Sequence, residues 1–271
     1  MSPATRGPDP DDRRPDDRNR VRVGLTLPSF VADPETPLVV ARAAEAAGLD
    51  GVFVYDHLWR GTPPDRRPAL ECFTLLGAVA AETSRIGVGT LVARATLRPA
   101  ATLANAFAAA ARVSDGRLIA AIGAGDSESR PENEAFGLAF GTLGERIGAL
   151  HDAVLATKDA AASVGGFPVW VGGLGRRVRM SVAVADGWNA WGSEPEVFRE
   201  ELASVREVAP GATITWGGLA RPSEEGAAAL ATRLAPYVDE GADWLIIGPV
   251  DSSNPANAPI VAEVRERLRR G

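Results

Sequence analysis

Cysteine occurs once in the 271 residues, at Cys72, and histidine twice, at His57 and His151. A lone thiol makes no disulfide within the chain and points to a reducing, cytoplasmic setting. Lying in an amphipathic helical stretch, Cys72 reads as a small core residue. The histidines offer no metal-ligand spacing, because His151 falls in an expected helix and forms no pattern with His57. Long apolar runs are also missing, and none approaches the roughly 18 residues of a membrane span. Positive charge is not in excess. With a net charge of −6, neither nucleic acid nor an anionic membrane is an expected partner. Residues 1–20 have hardly an apolar side chain. Rich in Pro, Asp and Arg, they cannot bury enough surface to offset their ordering entropy, so they read as a disordered tail without the apolar core of a secretory signal.

Hydrophobic residues make up 45% of the chain, enough for a sizeable core, and an α/β barrel takes roughly 250 residues. Beyond the tail, strand-like and helix-like segments alternate. Strands are expected at Val21–Leu27, Gly51–Tyr55, Ile86–Val92, Leu118–Ile122, Pro168–Val171, Gly187–Trp191, Thr213–Trp216 and Trp244–Ile247. Helices are expected at Pro37–Ala47 (ended by Gly48), Ala69–Ser84, Ala100–Val113, Leu143–Lys158, Arg176–Ala185, Pro195–Val208, Glu224–Asp239 and Ala258–Arg269 (capped by Asn257). Helical spacing puts Cys72, Leu75, Leu76 and Val79 on one face, and Leu103, Ala106, Phe107 and Ala110 on another. Eight β–α units in series predict an α/β fold, a TIM-like (β/α)8 barrel over residues 21–271 in a single domain. A doubly wound open sheet is the alternative. The segment Asp126–Gly141 exceeds the usual βα loop of about 2–6 residues, which marks it as a functional loop at the catalytic face.

The run Gly51-Val52-Phe53-Val54-Tyr55 ends abruptly in Asp56-His57, with Trp59 two residues on. It reads as a strand buried on both faces. The polar pair then stands at a carboxyl end, where parallel sheets place their chemistry. A neutral imidazole donates a hydrogen bond or accepts a proton near pH 7, so His57 is the first candidate for catalysis or cofactor contact. The competing reading is a hydrogen-bonded histidine beside a barrel mouth. Gly89-Thr90-Leu91-Val92, taken alone, is a tight βα turn. Ile122-Gly123-Ala124-Gly125-Asp126 opens like a dinucleotide fingerprint, but Glu128 stands where the third glycine belongs and no helix follows directly. It leaves the Asp126 carboxylate at a glycine-lined strand end, as a catalytic acid or as a cap for its own loop. Val171-Gly172-Gly173-Leu174-Gly175 leads into Arg176, Arg177 and Arg179, three cations where a helix dipole prefers negative charge. A bound anion would offset both, so a phosphate site is expected there, against a solvated basic turn.

In their order, Val23-Gly24-Leu25, Ala41–Gly51, Asp56-His57, Gly89–Val92, Arg98-Pro99, Ser114–Arg117, Gly123–Asp126, Glu134–Gly137 and Ala185–Trp188 resemble the luciferase-like family of flavin- and deazaflavin-dependent oxidoreductases. The branch using the deazaflavin coenzyme F420 is the most similar. The resemblance implies hydride transfer between that coenzyme and a small organic substrate. Alternatives are an FMN-dependent monooxygenase of the family and a non-catalytic flavin- or deazaflavin-binding barrel. His57 and Asp126 match the histidine and the acid that flank the reacting centre, the acid being a glutamate in the best-known members. Asp56, Thr90, Leu91 and Val92 are then expected at the cofactor ring, with a non-prolyl cis peptide at Leu91-Val92. Gly172, Gly173 and Arg176 are expected at its phosphate, and Trp59, Asn105 and Trp191 around the substrate. A homodimer is the default assembly.

Overall fold

The computed structural model describes residues 21–60 and 67–270, so the tail expected over residues 1–20 lies outside the described residues. Eight short, apolar, β-branched segments form parallel strands: β1 Arg22–Thr26, β2 Gly51–Val54, β3 Gly87–Thr90, β4 Leu118–Gly123, β5 Val169–Gly172, β6 Gly187–Trp191, β7 Thr213–Ala220 and β8 Trp244–Pro249. Each pairs with the next, and β8 returns to β1 in register from Arg22↔Trp244 to Leu25↔Ile247. The sheet is therefore a closed barrel, and the open-sheet alternative is excluded. All eight segments keep the sequence positions expected of them, with β7 ending at Ala220 rather than Trp216 and β8 at Pro249 rather than Ile247.

The main helices are α1 Glu35–Ala46, α2 Cys72–Glu82, α3 Ala100–Val113, α5 Leu143–Ser163, α7 Pro195–Val208, α8 Pro222–Asp239 and α9 Asn257–Leu268, with short α4 Arg130–Ala135 and α6 Arg179–Val182 between. Local chemistry fixes their ends. Gly48 takes a φ of 74° just past α1, the left-handed turn glycine adopts at low cost. Thr142 and Glu145 form a reciprocal capping box at the start of α5. Three expectations need correction. The helix expected over Arg176–Ala185 is a 3-10 turn, Arg176–Val178, followed by the single turn α6. The long Asp126–Gly141 segment is not all loop, because it contains a 3-10 turn and α4. Asn257 does not cap α9: it is the first helical residue, and its amide donates to the Asp251 carbonyl instead. Among the described residues no helix is long and apolar enough to cross a membrane.

The barrel interior is filled by a few large side chains over many glycines. Phe53, Ile119, Trp170, Trp244 and Ile246 occupy it. A Cβ at Gly24 or Gly89 would fall about 3 Å from the Phe53 ring, and one at Gly187 2.5 Å from Trp170. Bulk on some strands thus requires its absence on their neighbours. At the carboxyl end the same device sets the floor of the mouth. A Cβ at Gly123 or Gly172 would lie 2.5 Å from a γ-carbon of Val92. Gly172→Ala should therefore destabilise the fold by about 1–3 kcal/mol through overpacking. Val92→Ala in the same chain should recover at least about 1 kcal/mol of that relative to additivity. Urea unfolding of the two single variants and the double variant checks this, and strict additivity would place the strain elsewhere.

Candidate functional site

The carboxyl ends of β1 and β2 deliver Phe30, Tyr55, Asp56 and His57. The Phe30 ring lies 6.3 Å from Tyr55 and 5.9 Å from His57, and Tyr55 meets Trp191 edge-on at 6.1 Å. Tyr55 is oriented by donating its hydroxyl to Thr26 Oγ1 at 2.8 Å. Trp191, at the end of β6, reaches across the mouth over two further glycines: a Cβ at Gly217 would be 2.6 Å from its ring, and one at Gly248 3.0 Å. The result is an aromatic enclosure with one imidazole in it.

His57 is 37% exposed, and its Nδ1 lies 3.0 Å from Glu132 Oε2. Glu132 projects from α4 and is buried. Its other oxygen accepts the backbone N–H groups of Leu58, in a short contact, and of Trp59 at 3.3 Å, and stands 3.1 Å from Arg94 Nη2. Burial alone would raise this carboxyl. The His57 and Leu58 hydrogen bonds and the Arg94 charge outweigh it and hold the group below the ordinary glutamate value. Glu132 is thus a carboxylate, an acceptor only, so His57 Nδ1 carries the proton it donates. Nε2 has no hydrogen-bond partner among the described residues.

Asp56, expected at the cofactor, is 2% exposed and fully engaged within the protein. It accepts the Arg94 N–H at 2.9 Å and a two-pronged bond from Arg98 at 2.7 and 3.1 Å. Arg94 Nε donates to the Asp56 carbonyl, and Nη1 to Asn133 Oδ1. Arg98 also pairs with Glu71, the cap of α2. Burial works against the Arg98 charge, but the hydrogen bonds and charge of Asp56 win and its pKa is raised. Three carboxylates, Asp56, Glu71 and Glu132, and two guanidiniums so form one network beneath His57, tying the β2 end to α4 and to the start of α3.

The remaining expected residues divide. Thr90 is buried, its hydroxyl donating to the Ala121 carbonyl at 2.7 Å. It supports the neighbouring strand rather than facing the mouth. The Leu91-Val92 peptide is cis, as expected, and Val92 packs over Gly123 and Gly172. Trp59 stands 5.4 Å from Phe136, joining the β2 loop to the end of α4. Asp126 is exposed and caps its own 3-10 turn, accepting from Ser129 N and Oγ at 3.0 Å. Asn105 is on the solvent side of α3, opposite Leu103 and Phe107, and is not brought to the mouth. At the glycine–arginine corner, the Gly173 N–H donates to the Asn189 carbonyl and the Gly175 N–H to Glu201 Oε2 at 2.9 Å. Arg176 and Arg177 are exposed there. Glu132, Arg94 and Glu201 were not singled out in the sequence. The only signal for Glu132 is an acid-rich stretch that offers four candidate carboxylates between residues 126 and 134.

A family model described as luciferase-like monooxygenase matches residues 18–240. An F420-dependent glucose-6-phosphate dehydrogenase of Nakamurella multipartita is 30% identical over 208 residues, covering 67% of this chain and 60% of that one. A protein of the same description from Beutenbergia cavernae is 36% identical over 138 residues, covering 49% of this chain and 39% of that one. The chain therefore spans about 60% or less of these curated relatives. Among solved structures, an F420-dependent secondary alcohol dehydrogenase in complex with an F420-acetone adduct superposes with a TM-score of 0.77 at 15% identity, over 90% of this chain and 98% of that one.

Proposed function

The chain belongs to the luciferase-like monooxygenase family, and from that premise we propose that it is an oxidoreductase using coenzyme F420 to transfer a hydride to or from a small organic substrate. The carrying observation is His57, its Nδ1–H held by the buried carboxylate of Glu132 and its Nε2 open at the barrel mouth. The names of the curated relatives support F420 over other redox groups. The mouth also suits a flat ring, because the ends of β4, β5 and β7 carry glycines and the side chains over them are apolar, Val92 and Trp191.

When bound, the deazaflavin supplies the hydride chemistry, and the protein supplies position and electrostatics. Leu91 and Val92 would support the ring, backed by the Thr90 cross-strand bond. Trp59, braced by Phe136, would wall the substrate side and help to exclude water. His57 Nε2 would take the proton from a substrate hydroxyl as the carbon bearing it loses hydride, or return a proton to the carbonyl oxygen as that carbon gains hydride. Glu132 keeps the tautomer that leaves Nε2 facing the mouth. We assign Asp126 to shaping its loop rather than to proton transfer, since its carboxylate holds Ser129. Phosphate would sit at the corner of Gly172, Gly173 and Arg176. With the Gly173 and Gly175 N–H groups engaged by Asn189 and Glu201, the burden of charge falls on Arg176.

Fluorescence titration with F420 and with FMN tests this reading. F420 should bind, and more tightly than FMN. Arg176→Ala should weaken F420 about threefold to tenfold, the worth of one partly exposed charge-assisted contact. Binding of FMN but not F420 would replace the proposal with the flavin alternative, and binding of neither would end it.

A further inference from the structure

Arg146 is a buried cation without a counter-charge. It stands in the first turn of α5 and is 8% exposed. Among the described residues no carboxylate pairs with it. Its Nη1 donates to the Gly141 carbonyl at 3.3 Å. Its Nε is buried without a partner, and its Nη2, also unpartnered, is the donor that stays open to solvent. A guanidinium withdrawn from water lowers stability unless an opposite charge offsets the loss of hydration.

Its surroundings add positive charge. The Arg146 guanidinium lies over the Phe140 ring, 4.2 Å from its centre, and that of Arg130, at the start of α4, lies over the same ring at 4.7 Å. The two guanidinium carbons are therefore at most about 9 Å apart, near enough for the cations to repel each other. Arg130 meets Glu134 at 3.5 Å, an exposed pair of small worth. The positive end of the 21-residue helix α5 strengthens the field. Glu145 is the acid of that first turn, and one of its oxygens is held by the Thr142 N–H and hydroxyl. Glu132 is committed to His57 and Arg94. The cluster also adjoins the mouth. Asn133 accepts from Arg94 and donates to the Ala139 carbonyl at 3.4 Å, next to Phe140, and Phe136 packs on Trp59.

We propose that Arg146 and Arg130, gathered on Phe140, form an oxyanion site that takes a carboxylate or phosphate at the trailing end of a molecule seated in the mouth. The site follows β4, whereas the glycine–arginine corner follows β5. Two sources carry that chemistry, the acidic tail of the coenzyme and an acidic group on the substrate. Only the source rests on the proposed function. NMR of the full chain without coenzyme tests the site, with inorganic phosphate and glutarate as probes at constant ionic strength. The Leu143 and Gly144 amide signals should shift saturably with both. Arg146→Met should raise the midpoint at least about tenfold, and Arg176→Ala should leave it within about twofold. Without any anion, Arg146→Met should unfold at or above the wild-type Tm, because it removes an uncompensated charge and keeps the bulk. A linear drift in wild type (an adventitious ion only), an unchanged midpoint in Arg146→Met, or a fall in its Tm beyond about 5 °C would each overturn the assignment. Repeating the phosphate titration on the chain saturated with F420 separates the sources: a lost response assigns the site to the coenzyme tail, and a retained one to the substrate. A chain that binds phosphate here but not F420 loses its proposed coenzyme and keeps the oxyanion site.

Discussion

Alanine in place of His57 should lower F420-linked turnover by about 10²–10⁴-fold, the range for losing a positioned proton donor or acceptor, while F420 affinity stays within about fivefold. The asymmetry follows from geometry. Much of the enclosure is built by Val92, Trp191, Tyr55 and Phe30, none of which depends on the imidazole for support beyond one ring contact at 5.9 Å. For proton transfer, by contrast, none of the described carboxylates near the mouth is free to replace it. Asp126 is engaged with Ser129, Asp56 with two arginines, and Glu132 is buried behind His57 itself. Glu132→Gln should fall between wild type and His57→Ala, near a tenfold loss, because a neutral amide can still accept the Nδ1–H but offers a hydrogen bond weaker by about 0.5–2 kcal/mol. Added imidazole should restore part of the His57→Ala rate and none of the Glu132→Gln rate. Unchanged turnover in His57→Ala would remove the proton role outright, whatever the coenzyme titration shows.

The legible part of this chain was its periodic part. Alternation of eight apolar runs with helical stretches gave the barrel, and the abrupt Tyr55-Asp56-His57 ending put the imidazole at the carboxyl mouth. Side-chain commitments were not legible, because they join residues far apart in sequence. Asp56 meets Arg94 and Arg98 some 40 positions on, Glu132 meets His57 75 positions back, and Glu201 meets Gly175 26 positions back. Nothing local distinguishes Glu132 from Asp126, Glu128 or Glu134. Only the short turn of α4, with Pro131 at its start, rotates that one carboxylate inward. Asn105 could have been placed better. It is two residues from Leu103 and from Phe107, about 200° around the helix from each, so the periodicity that buried those residues already sent Asn105 to solvent.

Asp56→Ala should cost about 3–5 kcal/mol of stability, the range for removing one partner of a buried ion pair. For a chain of this size that is a fall in Tm of about 6–20 °C. The argument is one of uncompensated charge. Asp56 is the acceptor for one backbone N–H and both Arg98 prongs. Without it, Arg98 keeps Glu71 on its exposed side and the face of the Phe73 ring at 5.1 Å, and Arg94, 3% exposed, keeps Glu132 and Asn133. Exposed pairs such as Arg267–Glu263 should be worth under about 1 kcal/mol by the same measurement. Arg98→Met alone should also destabilise, leaving Asp56 charged with the Arg94 N–H as its remaining bond. The double variant Asp56→Ala/Arg98→Met should be less destabilised than the sum by at least about 1.5 kcal/mol, since it removes both charges together. Thermal and urea unfolding of the four proteins close this cycle. Additive losses would mean that the two groups act separately, and that the ground beneath His57 is held by packing rather than by charge.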